Sequence, residues 1–317
     1  MLTFILKRLL SSIPTLFLIS LIIFILQKMI PGDPALVLAG EDKSPEALAY
    51  IRELYHLNES VLMQYFYWLS GVVQGDFGTS IRTAQPVMEL LISKLPVTLE
   101  LSLLSMLIAL LISIPMGVIA AVKKNSKWDV ISSFFALAGQ SIPNFWLGFM
   151  LILLVSVRWG VLPASGYVSP QEDLLLNLQT MIMPSLVLGT GIAAVLFRHT
   201  RGAMSEVLHA DYIRTARAKG VNRYIIFIKH GLKNAIIPVI TLSTIQFGEL
   251  MGGAVLTEQV FTIPGLGKLI VDSVYNRDFP VVQGVVLFSA LSFIICNILA
   301  DVAYYVFNPK LRHQEVG

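Results

Sequence analysis

VTLELSLLSMLIALLISIPMGVIAAV, residues 97–122, is an apolar run of 26 residues. As a helix rising 1.5 Å per residue it is about 39 Å long, enough to cross the roughly 30 Å hydrocarbon core of a bilayer. In lipid every backbone N–H and C=O must find its partner within the chain, and such a run achieves this as a helix. Five more runs lie near residues 9–29, 130–157, 179–198, 235–257 and 283–307. The run at 130–157 carries Gly139-Gln140-Ser141-Ile142-Pro143-Asn144 at its middle. Two spans and a turn need about 40 residues, so it reads as one kinked or tilted helix. The expected fold is an all-α integral membrane protein with six transmembrane helices.

Composition agrees. Of 317 residues, 55% are hydrophobic and 14% charged, and the mean hydropathy is +0.73. Soluble domains average about 25% charged residues. This excludes a disordered chain, a disulfide scaffold and an ordinary cytosolic enzyme. Cys296 is the sole cysteine, so no intrachain disulfide forms. The first run exceeds the roughly 7–15 residues of a signal-peptide core and lacks a clear cleavage site, so a retained span is expected.

Six spans place both termini on one side of the membrane. With that side cytoplasmic, 15 of the 23 basic residues fall in inner loops and tails, as the positive-inside rule requires. The net charge of +3 matters less than this placement. Two segments outside the spans are long enough to have roles. The outer one, 30–96, contains Ser44-Pro45-Glu46, a helix start with a capping serine and a first-turn proline. It also holds Tyr65-Phe66-Tyr67-Trp68, suited to a membrane interface. An ordered cap involved in substrate handover and a mere cover of the bundle both fit these signals. The inner segment, 199–234, has the densest basic cluster.

Within the inner segment, Asp211-Tyr212-Ile213-Arg214-Thr215-Ala216-Arg217-Ala218-Lys219-Gly220 is a short helix closed by glycine. A second short helix is expected near 222–230, ended by Gly231, before the chain re-enters the membrane at Asn234-Ala235-Ile236-Ile237-Pro238. The bland reading of the basic residues is that they enforce topology and touch lipid phosphates.

Helix, glycine, second helix and proline-led return resemble the EAA loop of ABC importer permeases. Aligned on Gly220, the Glu-Ala-Ala positions fall on Arg214, Thr215 and Ala216, so the glutamate is absent. The interval from Gly220 to Pro238 is 18 residues, longer than in the sugar-importer form. Both departures resemble the peptide and nickel branch. The likeness continues through IPGDPA (30–35), GDFGTSIRTAQPV (75–87), QSIPNFWLG (140–148) and GELMGGAVLTEQVFTIPGLGKL (248–269). NRDFPVVQG and NILADVAYYVFNPKLR extend it towards the C-terminus.

The resemblance is to the first permease subunit of dipeptide, oligopeptide, glutathione or nickel importers, and is strongest for the peptide and glutathione members. It implies a type I ABC importer fold with its core in spans 2–6, about 95–305, and the segment 1–29 packed outside. Arg214, Thr215, Ala216, Arg217, Ala218, Lys219 and Gly220 would dock on an ATP-hydrolysing subunit. The implied partners are a second similar permease, two ATPases, an extracytoplasmic substrate-binding protein and membrane lipid, with no nucleic acid. This chain would carry no cofactor, ATP and magnesium residing on the ATPases. The implied location is a bacterial inner membrane.

Candidate pathway residues come from the spans. Ser243, Gln246, Glu249 and Gly253 recur at helical spacing on one polar and small face. An ionised carboxylate at mid-bilayer costs roughly 2.5–3.5 kcal/mol, so Glu249 must face the bundle or water. It lines a pathway or pairs with a neighbouring helix, while Gly248 and Gly252 allow close helix packing. Ser141 and Asn144 flank Pro143, at a hinge, a polar rung or a passive kink. Asp301, near the inner interface, suits packing.

Catalytic and nucleotide motifs are lacking: the sequence has no P-loop, HExxH or Gly-x-Ser-x-Gly. Gly265-Leu266-Gly267 after Pro264 reads as a turn. Five scattered histidines do not make a metal site, and a metal cargo would travel with a chelator. An intramembrane enzyme using Glu249 or Asp301 lacks a recognisable partner group. A secondary transporter would be expected to show inverted repeats.

Overall fold

The computed structural model describes residues 2–29, 33, 35–36, 39, 44–54, 56–252 and 254–307. Among these, the regular secondary structure is helical apart from one isolated bridge between Thr79 and Pro86, with turns and irregular chain between the helices. The helices are α1 (Leu2–Met29), α2 (Pro45–Leu54), α3 (Val61–Val73), α4 (Val87–Val122) and α5 (Lys127–Ser141). After them come α6 (Asn144–Arg158), α7 (Leu174–Leu208), α8 (Asp211–Ala218) and α9 (Arg223–Met251). The last three are α10 (Val255–Val260), α11 (Leu266–Tyr275) and α12 (Phe279–Phe307). Among the described residues five helices are long and apolar enough to span, and the bent pair α5 and α6 makes a sixth candidate.

The chain divides into two compact units, one of Met1–Pro96 with Lys268–Leu291 and one of Val97–Gly267 with Ser292–Gly317. In the first, α1 packs on α3 through an aromatic cluster. Phe24 meets Tyr65 edge-on at 5.3 Å and Trp68 at 5.6 Å, and the Tyr65 hydroxyl lies 2.8 Å from Ser20 Oγ. Ser44 caps α2 by accepting from Ala47 N–H at 3.3 Å, with Pro45 at the first helical position. Buried Asp278 holds the turn at 80–81, accepting from Ser80 Oγ at 2.5 Å and Ile81 N–H at 3.1 Å.

In the second unit α7 is the buried axis, with most of its apolar stretch inside. Its core joins Val97 and Leu101 of α4, Met181, Met183, Val187 and Leu188 of α7, Leu250 of α9, and Phe261 and Ile263. Small residues let α4 and α7 meet closely. A Cβ on Gly189 would lie 2.9 Å from Ser105 O, and one on Gly117 would lie 2.7 Å from Thr200 Cβ. Both contacts keep nearly the same offset in sequence, so the two helices run parallel.

Three expectations about the spans are corrected. The third run is not one kinked helix: α5 and α6 meet at 98°. Pro143 disfavours the helical conformation at Ile142, which is extended with φ −81° and ψ 121°. Second, Gly231 does not end a short helix. Helix α9 runs on through it as a π-helical segment, Ile226–Leu232, and a Cβ on Gly231 would lie 2.7 Å from Met204 Cε. The Met204 methyl thus packs directly against the glycine. Third, the fifth span stops at Met251, because residues 255–260 form the separate α10.

Candidate functional site

An open cleft of about 350 Å³ lies in the second unit, with polar groups from three helices. Asn144 stands at the first position of α6, Gln246 and Glu249 near the end of α9, and Thr257 on α10. Gln246 Nε2 donates to Glu249 Oε2, orienting the carboxylate. Gly191 of α7 makes room for Asn144, whose Oδ1 would lie 3.3 Å from a Cβ there. Leu188, Ile192 and Leu250 supply apolar wall. The cleft therefore offers a carboxylate, two amides and aliphatic surface. Such a set hydrogen-bonds polar solutes and accepts from an ammonium group.

The sequence candidates divide. Asn144, Gln246 and Glu249 come together at this cleft. Ser243 does not line it: the side chain is buried and its hydroxyl donates to Val239 O at 2.7 Å, inside its own helix. Ser141 closes α5, where its hydroxyl donates to Leu137 O at 2.9 Å. Gly253 lies outside the described residues. Glu249 sits two residues before the end of α9, so its span-end position lowers the desolvation expected at mid-span. Gly248 makes the close contact read from the small-residue pair, a Cβ there meeting Cys296 Cβ at 3.0 Å. Gly252 meets only its own turn.

Sequence reasoning missed Glu258. It is fully buried, and Thr98 Oγ1 donates to its Oε1 at 2.9 Å while accepting from Leu266 N–H at 2.8 Å. A Cβ on Gly265 would lie 2.5 Å from the carboxylate, and one on Gly267 would lie 2.8 Å from Val255 Cα. The Pro-Gly-Leu-Gly turn thus closes over Glu258 and fixes α10 at the cleft. The available signal was an acidic residue followed within ten positions by two glycines flanking one apolar residue. Nearby, Tyr167 donates to Glu100 Oε2 at 2.9 Å. Burial, then this bond, raises the phenol pKa above its ordinary value, so it stays a neutral donor.

The second candidate surface is the loop carrying α8. Ile213 is its one buried residue, while Arg214, Thr215, Arg217, Ala218, Lys219 and Gly220 are exposed and Ala216 is half-buried. Gly220 has φ +72°, and its N–H donates to Arg217 O at 3.0 Å as Val221 N–H donates to Ala216 O at 3.2 Å. That is a glycine-capped helix end. Asn234 Nδ2 donates to the Tyr212 hydroxyl at 3.0 Å, tying α8 to the first half of α9. Close by in sequence, Arg201 of α7 grips Asp129 of α5 with both Nε (2.7 Å) and a terminal nitrogen (3.0 Å). Asn125 N–H adds a third bond to that carboxylate at 3.0 Å. The loop is thus a firm basic knob.

A family profile described as "Binding-protein-dependent transport system inner membrane component" matches residues 113–313, and a companion profile for the N-terminal part of such components matches residues 1–102. The glutathione transport system permease protein GsiC of Escherichia coli K12 is 43% identical over 314 residues, covering 99% of this chain and all of its own length. The dipeptide transport system permease protein DppB of the same strain is 43% identical over 339 residues with the same coverage. The inward-facing structure of the MetNI methionine ABC transporter aligns at a TM-score of 0.59 and 21% identity, over 70% of this chain and 97% of that one, a likeness of fold. The chain belongs to the family of binding-protein-dependent transport system inner membrane components, multi-pass permeases of the bacterial inner membrane.

Proposed function

We propose that this chain is one permease subunit of an ATP-driven importer and forms half of a pathway for peptides of the dipeptide, oligopeptide or glutathione type. The full-length match to a glutathione and a dipeptide permease at equal identity carries this reading. The cleft of Asn144, Gln246 and Glu249 supports it, since amides and a carboxylate suit a solute with peptide bonds and a free ammonium. On this reading both termini and the α8 knob are cytoplasmic. The stretch from Arg214 to Gly220 seats on an ATPase, and a second permease and an extracytoplasmic binding protein complete the assembly. ATP and magnesium belong to the ATPases, and this chain performs no catalysis.

The test is reconstitution of the complex with its binding protein in proteoliposomes loaded with ATP. Uptake of labelled dipeptide or glutathione is expected, dependent on ATP and on the binding protein. Uptake that persists with ATPases disabled in their nucleotide sites would overturn the reading.

A further inference from the structure

A second cavity, of about 650 Å³, lies wholly within the first unit. Phe24, Gln27 and Lys28 of the last turns of α1 line one side, and Arg277, Phe279 and Gln283 at the start of α12 line another. Gln283 Nε2 donates to Gln27 Oε1, so the end of one span meets the start of the other. Both helices are long and apolar enough to cross a membrane. The cavity therefore sits where two antiparallel spans reach the bilayer edge. Tyr67 and Trp68 of α3 line it too, the residue types that favour headgroup depth.

Among the described residues that line it, the charges do not balance. Arg52 and Asp33 neutralise each other at 2.6 Å. Asp76 is committed to its own turn, accepting from Gly78 N–H at 2.8 Å. Lys28 donates to the Gln64 amide oxygen and stacks over Phe24, and no carboxylate among the described residues pairs with it. The Arg277 guanidinium has no partner among the described residues. Two cations thus face one carboxylate that is already hydrogen-bonded.

The backbone points the same way. Arg277 has φ 55° and His56, also on the cavity wall, has φ 52°. Residues other than glycine are strained in this region and persist there only when the surroundings dictate it. Here buried Asp278, bonded to Ser80 and Ile81, locks the turn that displays Arg277.

We propose that this cavity binds the phosphodiester headgroup of a membrane phospholipid, with Lys28 and Arg277 supplying the charge that holds the phosphate. The exposed side chains of Ile25, Leu26 and Met29 on the same turns of α1 give the acyl chains an apolar surface. A zwitterionic peptide fits less well, because its ammonium would need a free carboxylate and the two present are engaged. An anionic lipid such as phosphatidylglycerol fits the cation excess best.

The test is native mass spectrometry of the intact complex, delipidated in mild detergent and titrated with phosphatidylglycerol. Arg277→Gln should weaken binding of one lipid about fivefold, the worth of one basic side chain at a lipid surface. Arg277→Lys, which keeps the charge, should retain the lipid and so separate lost charge from a disturbed turn. Arg158→Gln, outside this cavity, should change nothing. Equal lipid retention by Arg277→Gln and wild type would overturn the proposal. Displacement of the lipid by inorganic phosphate would overturn it in favour of a free-anion site, and displacement by dipeptide or glutathione in favour of a substrate site.

Discussion

Thr98 Oγ1 stands between Glu258 and Leu266, donating to the buried carboxylate at 2.9 Å and accepting from the backbone N–H at 2.8 Å. One hydroxyl therefore ties the first third of α4 to Glu258 of α10 and to Leu266 at the start of α11. Thr98→Val removes both bonds and leaves two buried polar groups without this partner. The buried Leu266 N–H left without its acceptor costs about 1–3 kcal/mol, so the purified complex should melt a few degrees lower. Glu258→Gln should cost less than Glu258→Leu, because the amide oxygen still accepts from Thr98. Equal thermal stability of Thr98→Val and wild type, by fluorescence-detected unfolding, would contradict this role.

Gly220 caps α8 with φ +72°. A β-branched residue enters that region at a cost of about 1 kcal/mol or more. Nothing lies within 4 Å of where a Cβ would sit there, so the penalty is one of backbone and not of crowding. Gly220→Val should leave the subunit inserted but uncouple uptake from ATP hydrolysis, whereas Gly220→Asn should be milder. Parallel assays of uptake and ATPase stimulation decide; wild-type values for the valine variant would remove the docking role.

Glu249 faces the cleft and Ser243, six residues earlier, does not. A cysteine introduced by Glu249→Cys should react with water-soluble maleimide, and one from Ser243→Cys should not. Glu249→Gln should insert and assemble normally while slowing uptake of a substrate bearing a free amino group. Ser243→Ala should transport like wild type. Reversed labelling would show that the two positions had been assigned to the wrong surroundings.

Gly189 leaves no room for a side chain between α7 and α4, the nearest neighbours being Ser105 O and Ile108. Backbone cannot give way as a flexible side chain can. Gly189→Leu should therefore part the helices and destabilise by more than the about 1–3 kcal/mol of ordinary overpacking. Loss of folded protein in size-exclusion chromatography is the expected readout. Gly202→Ala, where nothing lies within 4 Å, should behave as wild type.

The Arg52 guanidinium bonds Asp33 and holds its carboxyl below the usual carboxylate range. A depressed folded-state value means that the pair stabilises above the unfolded pKa of about 3.9 and that this is lost as pH falls through the folded value. The pair should therefore slow amide exchange in α2 by an amount that does not vary with pH near neutrality, and exchange should rise in acid. Asp33→Asn should abolish that acid-dependent component. The effect will be small, since both partners are partly exposed.

Much of this molecule is written in local sequence. Runs such as 97–122 allow no other solution in lipid than a helix, because each backbone group must pair within its own segment. Ser44-Pro45 and Gly220 mark helix ends through their own preferred dihedral angles. Such features need no distant partner, so the helical class, the capped outer helix and the glycine end of α8 follow from neighbours in sequence.

Tertiary structure decided what depends on contacts between remote residues. Gly231 reads as a helix end, yet it is a packing surface for Met204, and only the approach of α7 to α9 makes that so. Pro143 announces a bend, but the 98° between α5 and α6 depends on where each helix packs. Ser243 and Glu249 share a helical face on paper, while the end of α9 leaves one buried and the other in a cleft. Glu258 acquires its partner from 160 residues away in sequence. Periodicity orders residues around one helix axis. Which side of that axis meets a neighbour, a cavity or lipid is settled by the helices packed against it.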